Sequence, residues 1–528
     1  MNKIDRTGKR PGDDTAHVHL DPDDASALAS EVIDLVDAPP VVPHAPLSEG
    51  EVRTIVIALV LTMFLTALDQ TIIATALPTI GQEFRDVSNL SWVITAYLLA
   101  STAVAPFYGT LSDIYGRRAM IVTATVLFLF GSVLCALAPN LLMLILARAL
   151  QGIGGGGILP LVQTVVADIV SPRERGRYQG YFSGVWVAAG VGGPVLGGLI
   201  AEHLHWSMIF WINLPLGLLS LVLLLPKLKK IPVFHRRRKV DWLGGLLLMA
   251  SAVTLLLVLT WGGHPLPWMS ATILAMIGSA VVLGLAFVVH ARATSDPFIP
   301  IPLLGGPVVP YAIAAGSLAL GANIALTVHL PLYYETVYHL SATQSGLALI
   351  PAVAVAVIGA WISGHAMVKL THYKRPAVIG SFCAALAAFA LALATPLPLW
   401  AMLVVLATFS FGLGTGFPLS IVALQNAVAR AQVGTATGAM NFFRALTASF
   451  AVALFTAILL TALGRHISIG EHLDGGHLAV SGADMVSAFR YVFACAGLFL
   501  GLAGVLWVLM EERPLAGPAR TPPADMAE

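Results

Sequence analysis

Charge is scarce in this chain. Of its 528 residues only 11% are Asp, Glu, Lys or Arg, where an average soluble domain carries about 25%. The net charge is +1, which excludes the basic surface that nucleic-acid binding needs. Cysteine is scarcer still. Cys135, Cys383 and Cys495 each sit inside an apolar run, and none belongs to a C-x-x-C pair. That spacing excludes a disulfide framework and a cysteine zinc site. No G-x-S-x-G, H-E-x-x-H or P-loop occurs, so neither an enzyme nor a metal or cofactor site is expected. What the chain has is apolar surface: 57% hydrophobic residues and a mean hydropathy of +0.84. Surface of that kind needs lipid as its solvent.

Residues 1–50 differ from the rest, with ten acids against four bases and four prolines from Pro39 to Pro46. They read as a solvated acidic tail without a signal-peptide core. A membrane helix takes about 20 mostly apolar residues. By that ruler fourteen spans follow: 54–78, 91–111, 119–138, 141–168, 178–201, 208–226, 241–261, 270–290, 310–334, 345–367, 376–395, 398–424, 436–462 and 486–510. Basic residues collect on the cytoplasmic side of a membrane. With the N-terminus inside, 24 of the 29 Lys and Arg fall there, including the run from Lys227 to Lys239. Both termini are thus expected in the cytoplasm of a multi-pass plasma (inner) membrane protein.

The chain repeats itself. "GIGGGGILP" from Gly152 in span 4 is echoed by "GLGTGFP" from Gly412 in span 12, and Pro160, Gly176 and Gly180 match Pro418, Gly434 and Gly438 at an offset of 258. "GTLSDIYGRR" after span 2 has a degenerate partner, "GHAMVKLTHYKR", after span 10. Six spans match six, and spans 7 and 8 are inserted between them. Six plus two is even, so both copies run the same way through the membrane. Parallel repeats of this kind belong to one transporter architecture, with the substrate site between the halves. The expected units are a tail at 1–50, a six-helix half at 51–228, a basic loop with two inserted helices at 229–300, a second six-helix half at 301–511, and a tail at 512–528.

Four motifs then carry a resemblance. "GTLSDIYGRR" (Gly109 to Arg118), "RALQGIGGG" (Arg148 to Gly156), "GVGGPVLGG" (Gly190 to Gly198) and "LDQTIIATALP" (Leu68 to Pro78) stand in order on spans 2, 4, 5 and 1. Together they resemble the major facilitator superfamily, and within it the fourteen-helix drug:proton antiporter-2 group (EmrB/QacA type), over residues about 50–510. Ala74 stands where that group usually has Asn. The resemblance implies an all-α integral membrane protein with the major facilitator fold, in two six-helix parallel-repeat halves plus two inserted helices. It implies antiport driven by a proton gradient, with Gly190, Gly193, Pro194, Gly197 and Gly198 as the span-5 antiporter motif. Small residues there let another helix approach closely.

An ionisable residue inside a span is costly and usually functional. Asp69 lies nine residues before Pro78, about 13 Å from the outer end, and Arg148 lies about 10 Å into span 4 from the same face. The pair is expected to couple protons, with a cationic compound in the cavity competing for the carboxylate; the alternative is a static pair locking two helices. Asp113, Gly116, Arg117 and Arg118 are expected to form a conformational latch. Arg117 would bridge Asp113 to Asp168, and Asp113 would face the start of span 13 near Gly434. Gln151, Gln163, Asn323, His329, Glu335, Gln425, Asn441 and Arg444 are candidates for the cavity wall. The expected function is proton-coupled export of lipophilic or cationic compounds by alternating access. An exporter of one metabolite and a transport-inactive membrane sensor are the rival readings. The expected partners are a small-molecule substrate, protons and lipid, but no nucleic acid. A monomer is expected, with docking of a periplasmic adaptor on the 463–485 loop left open.

Overall fold

The computed structural model describes residues 48–86, 89–228, 239–263, 266–466 and 481–515. Most of the acidic tail, most of the basic run after Lys227, the centre of the 463–485 loop and the end of the C-terminal tail lie outside the described residues.

Fourteen helices are long and apolar enough to cross a membrane. They are α1 (Glu49–Phe84), α2 (Trp92–Tyr115), α3 (Arg117–Ala136), α4 (Leu141–Ile169), α5 (Pro172–His203), α6 (Met208–Lys227), α7 (Trp242–Trp261), α8 (Ala271–Ala293), α9 (Val309–Val337), α10 (Ala342–Lys369), α11 (Arg375–Ala394), α12 (Leu399–Ala427), α13 (Val433–His466) and α14 (Gly482–Leu509). No strand occurs among the described residues; Gly262 and Leu266 form an isolated bridge. In lipid a helix satisfies its own backbone, which is why this composition gives helices alone.

Several helices outrun the apolar windows because capping, rather than hydropathy, sets their ends. Ser48 and Glu51 form a reciprocal capping box that starts α1. Asn140 accepts from the Met143 amide at 2.9 Å to start α4. Pro78 does not end α1, which continues to Phe84 and stops where Arg85 turns left-handed at φ 53°. Asp69 is therefore 15 residues from the end of its helix, about 22 Å rather than 13 Å.

Helices α1–α6 and α9–α14 form two halves of the same plan. In the first, α1 packs on α5 and α6, and α4 on α2 and α3; in the second, α9 packs on α13 and α14, and α12 on α10 and α11. Helix α4 (Leu141–Ile169) and helix α12 (Leu399–Ala427) are shifted by 258 at both ends, as are α3 and α11. Each half has its own apolar cores. The halves meet through α2 with α13 and α5 with α10, the exchange that a two-fold relation requires. The inserted α7 lies against α2 and α13, and α8 against α7. Helix α8 leaves Val281, Val282, Leu285 and Val289 exposed, as suits a peripheral helix in lipid.

Candidate functional site

The polar centre of the first half is a closed cluster on four helices. Arg148 on α4 donates from Nη1 to Asp69 Oδ2 at 2.6 Å and to Gln151 Oε1 at 2.6 Å. Gln151 Nε2 and Asn213 Nδ2, on α4 and α6, each donate to Asp69 Oδ1 at 2.8 Å. Ser132 on α3 accepts from both amides. Arg148 Nε donates to the Val93 carbonyl, and its guanidinium lies 4.4 Å from the centre of the Tyr97 ring. Asp69 thus accepts three N–H donors, the arrangement that fits a carboxylate. Gly131 makes the cluster possible: a Cβ there would stand 2.5 Å from the Gln151 Cα, so only glycine lets α3 and α4 close this far.

Asp69 and Arg148 are each 1% exposed. Both face the interior of their own half, between α1, α3, α4 and α6, and not the space between the halves. This corrects two expectations. Direct competition by a cation for Asp69 has no route in this conformation. Gln151, expected at a cavity wall, is fully buried and bridges the pair. Asn213, Ser132 and Tyr97 were not singled out, because neutral polar residues in a span carry no sign of their partners. At the shift of 258, Arg148 and Gln151 correspond to Leu406 and Phe409, both buried in the core of the second half. The cluster has no counterpart there.

A second cluster closes one end of the bundle. Arg117 donates from Nε to Asp168 Oδ2 at 2.9 Å and from Nη1 to Asp113 Oδ1 at 2.5 Å. Asp113 also accepts from the Gly434 amide at 3.0 Å and from the Thr435 amide and hydroxyl, each at 2.7 Å. Those amides belong to the first turn of α13, where a carboxylate meets unpaired N–H groups and the positive end of the helix dipole. Gly116, at φ 90°, makes the turn that carries Arg117 back toward Asp113. The expected bridge from Asp113 to Asp168 is present. Arg118 is not part of it: its side chain is exposed.

Glycines seal the same end. A Cβ on Gly109 would collide with the Gly434 carbonyl, and one on Gly364 with that of Gly176. Nearby, Gln425 Nε2 donates to the Gln163 carbonyl at 3.2 Å and Asn441 Nδ2 to Gln163 Oε1 at 2.8 Å. Gln163, Gln425 and Asn441 therefore join the halves, instead of lining an open wall.

The span-5 motif divides. A Cβ on Gly193 or Gly197 would collide with the Thr71 or Thr75 hydroxyl of α1, whereas Gly190 and Gly198 have nothing within 4 Å of that position. Pro194 is exposed. Only two of the four glycines, Gly193 and Gly197, spaced four apart, admit α1. Of the other candidates, His329 is buried between the Ala325 carbonyl and the Thr456 hydroxyl. Asn323 is half-buried and Glu335 exposed. Tyr333 and Tyr334 are fully buried in the second half. Arg444 is buried, with Nη2 bonded to the Ser420 hydroxyl.

The insert is fastened by Asp241, just ahead of α7. Its carboxylate accepts from the Gly244 amide at 2.9 Å, from the Phe298 amide at 3.0 Å, and from His290 Nε2 at 2.8 Å. Burial alone raises this carboxyl, but the donors from Gly244, His290 and Phe298 outweigh it and hold it below its ordinary value. Phe298 stacks on Phe107 of α2, and its carbonyl accepts from Thr110, so the insert is tied to the helix that carries Asp113.

Known proteins agree with this architecture. Residues 59–452 match the family model described as Major Facilitator Superfamily. The chain is 32% identical over 427 residues to the multidrug resistance protein fnx1 of Schizosaccharomyces pombe, covering 79% of this chain and 80% of that one. It is 32% identical over 444 residues to the efflux pump dotC of Dothistroma septosporum, covering 82% and 76%. In structure it resembles the proton:xylose symporter XylE with a TM-score of 0.63 at 16% identity, covering 89% of this chain and 98% of that one. That likeness is one of fold. The chain belongs to the major facilitator superfamily: it is a multi-pass membrane transporter.

Proposed function

We propose that the protein is a proton-coupled antiporter that exports lipophilic or cationic compounds across the plasma membrane by alternating access. The observation that carries this reading is the buried Asp69–Arg148 pair. A carboxylate on a membrane helix is expensive and marks an ion pathway by default. This one is held by three donors on two other helices, so its protonation state and the packing of its half are linked. Protonating Asp69 removes an acceptor from Arg148, Gln151 or Asn213 and loosens α1 from α4 and α6. Releasing the proton draws them together again. The names of the relatives, a multidrug resistance protein and an efflux pump, support export.

We assign the sealed end, with Asp113, Arg117 and Asp168, to the cytoplasm, a reading that the distribution of basic residues supports. On that assignment the present conformation faces outward, and the latch at α13 opens when the transporter turns inward to load. Protons entering down their gradient protonate Asp69 again, and the membrane potential adds about 2.3 kcal/mol per charge per 100 mV. A single chain carries both halves of the site, which favours a monomer. The test is reconstitution into liposomes with an imposed pH gradient and ethidium as the reporter. Antiport moves ethidium against the direction of proton flow and reverses when the gradient is reversed. Movement in the same direction as the protons, or movement indifferent to the gradient, counts against the reading.

A further inference from the structure

Four arginines are buried among the described residues: Arg117, Arg148, Arg175 and Arg444. Arg117 and Arg148 pair with carboxylates. Arg175 donates to the Val170 and Ala167 carbonyls. Arg444 has only the Ser420 hydroxyl, and its Nε has no hydrogen-bond partner. No acid faces it among the described residues. A guanidinium does not shed its proton in a protein, so a full positive charge, 8% exposed, stands without a counter-ion in the first half of α13.

Its position suggests what it awaits. Asn441, three residues earlier on α13, bonds Gln163 across the halves. Arg444 lies about 4.5 Å further along the helix, immediately past that seal. The niche is kept open by Gly316 on α9, where a Cβ would stand 3.2 Å from Arg444 Nη2 and 2.9 Å from the Ser420 Cβ. Beside Gly316, Ser317 buries a second hydroxyl without a partner.

We propose that Arg444 recognises an anionic group, a carboxylate or sulfonate, on an amphipathic substrate. The proposal rests on the export reading and narrows its substrate class, because a fixed positive charge repels a cation at this point and attracts an anion. The free Nε and an Nη nitrogen offer the two parallel donors that a carboxylate takes in fork geometry. In the conformation described here the niche is shut. Loading therefore requires the Gln163–Asn441 contact to part; it reforms before the substrate leaves on the other side, and release leaves Arg444 as it is found.

The experiment compares pyrenebutyrate with its uncharged amide, binding to the full-length purified protein read by energy transfer from tryptophan. The wild type is expected to prefer the carboxylate by about tenfold, as a charge-assisted pair provides. Arg444→Gln is expected to abolish that preference and Arg444→Lys to retain part of it. Should Arg444→Gln fail to fold, Gly316→Ala, which crowds the niche, is expected to reduce the preference in its place. Equal binding of acid and amide by the wild type overturns the proposal, as does a preference that survives in Arg444→Gln. Ethidium movement by the same preparation separates this outcome from the export reading. A wild type that exports ethidium yet shows no preference for the acid refutes the anion site alone. Selective, Arg444-dependent binding with no gradient-driven movement of either ethidium or pyrenebutyrate leaves the site standing and refutes the transport reading.

Discussion

Asp69 and Arg148, 79 residues apart in the chain, meet at 2.6 Å with both side chains 1% exposed. Two charges removed from water this thoroughly depend on each other. Removing one partner of a buried pair costs about 3–5 kcal/mol, because the other is left uncompensated, whereas removing both is often mild. Arg148→Gln is therefore expected to lower thermal stability more than the double substitution Asp69→Asn with Arg148→Gln. A double-mutant cycle on melting temperature measures the difference. Additive losses would show that the two side chains act independently.

Asp113 is expected to hold the sealed end by accepting from the first turn of α13. Asparagine in its place keeps one acceptor oxygen and loses the charge. Asp113→Asn is expected to weaken the closed conformation by about 1.5–3 kcal/mol, the worth of hydrogen bonds to a charged group, while the fold survives. Amide hydrogen exchange over 433–438 should speed up and transport should slow. Wild-type transport in a well-expressed variant would count against the latch.

The span-5 glycines give a contrast within one motif. Gly193→Ala and Gly197→Ala force a methyl into α1, an overpacking that costs about 1–3 kcal/mol. Gly190→Ala and Gly198→Ala meet nothing within 4 Å and should stay within about 0.5 kcal/mol of the wild type. Melting temperatures of the four variants decide it; equal effects at all four positions would contradict the packing described.

Asp241 carries a pH dependence. Its carboxyl is held below its ordinary value by the donors around it, so folding is favoured where it is ionised. That contribution is present above the ordinary carboxylate value, about pH 4, and is lost as the pH falls through the lowered folded value. Asp241→Asn keeps the helix cap but loses the charge on its acceptor oxygens, and should reduce stability at neutral pH by about 1 kcal/mol; the gap to the wild type should close in acid. A gap that persists at pH 2 would show that the charge is irrelevant.

How much of this was legible in the sequence depends on the type of signal. A lone acid and a lone base within apolar spans are conspicuous, and depth along two helices was enough to pair Asp69 with Arg148, even though α1 runs on past Pro78. The direction they face was not legible. Spacing along one helix does not reveal which neighbours surround it, so Asp69 was expected at a cavity and lies inside its own half. Asn213 and Ser132 complete the cluster, yet neutral polar residues give no charge to match. The contacts of Arg117 with Asp113 and Asp168 were legible because these residues are charged and cluster at helix ends. Its closure on backbone amides at Gly434 and Thr435 is a property of a helix terminus, visible only as a neighbourhood. The glycine motif announced close packing but not which of its glycines would meet α1, since spacing along one helix does not show where the neighbouring helix crosses it. Arg444 was legible only as one candidate for the cavity wall; that it lacks a counter-ion among the described residues is a fact of three helices together.

The central claim is that protonation of Asp69 couples substrate movement to the proton gradient. It is tested most directly in liposomes carrying wild type or Asp69→Asn, with ethidium flux measured with and without an imposed pH gradient. The account predicts that the wild type concentrates ethidium against its own gradient, and that Asp69→Asn, folded and inserted to the same extent, only equilibrates it. Uphill movement by Asp69→Asn equal to that of the wild type would contradict the account and leave the pair as a static brace between α1 and α4.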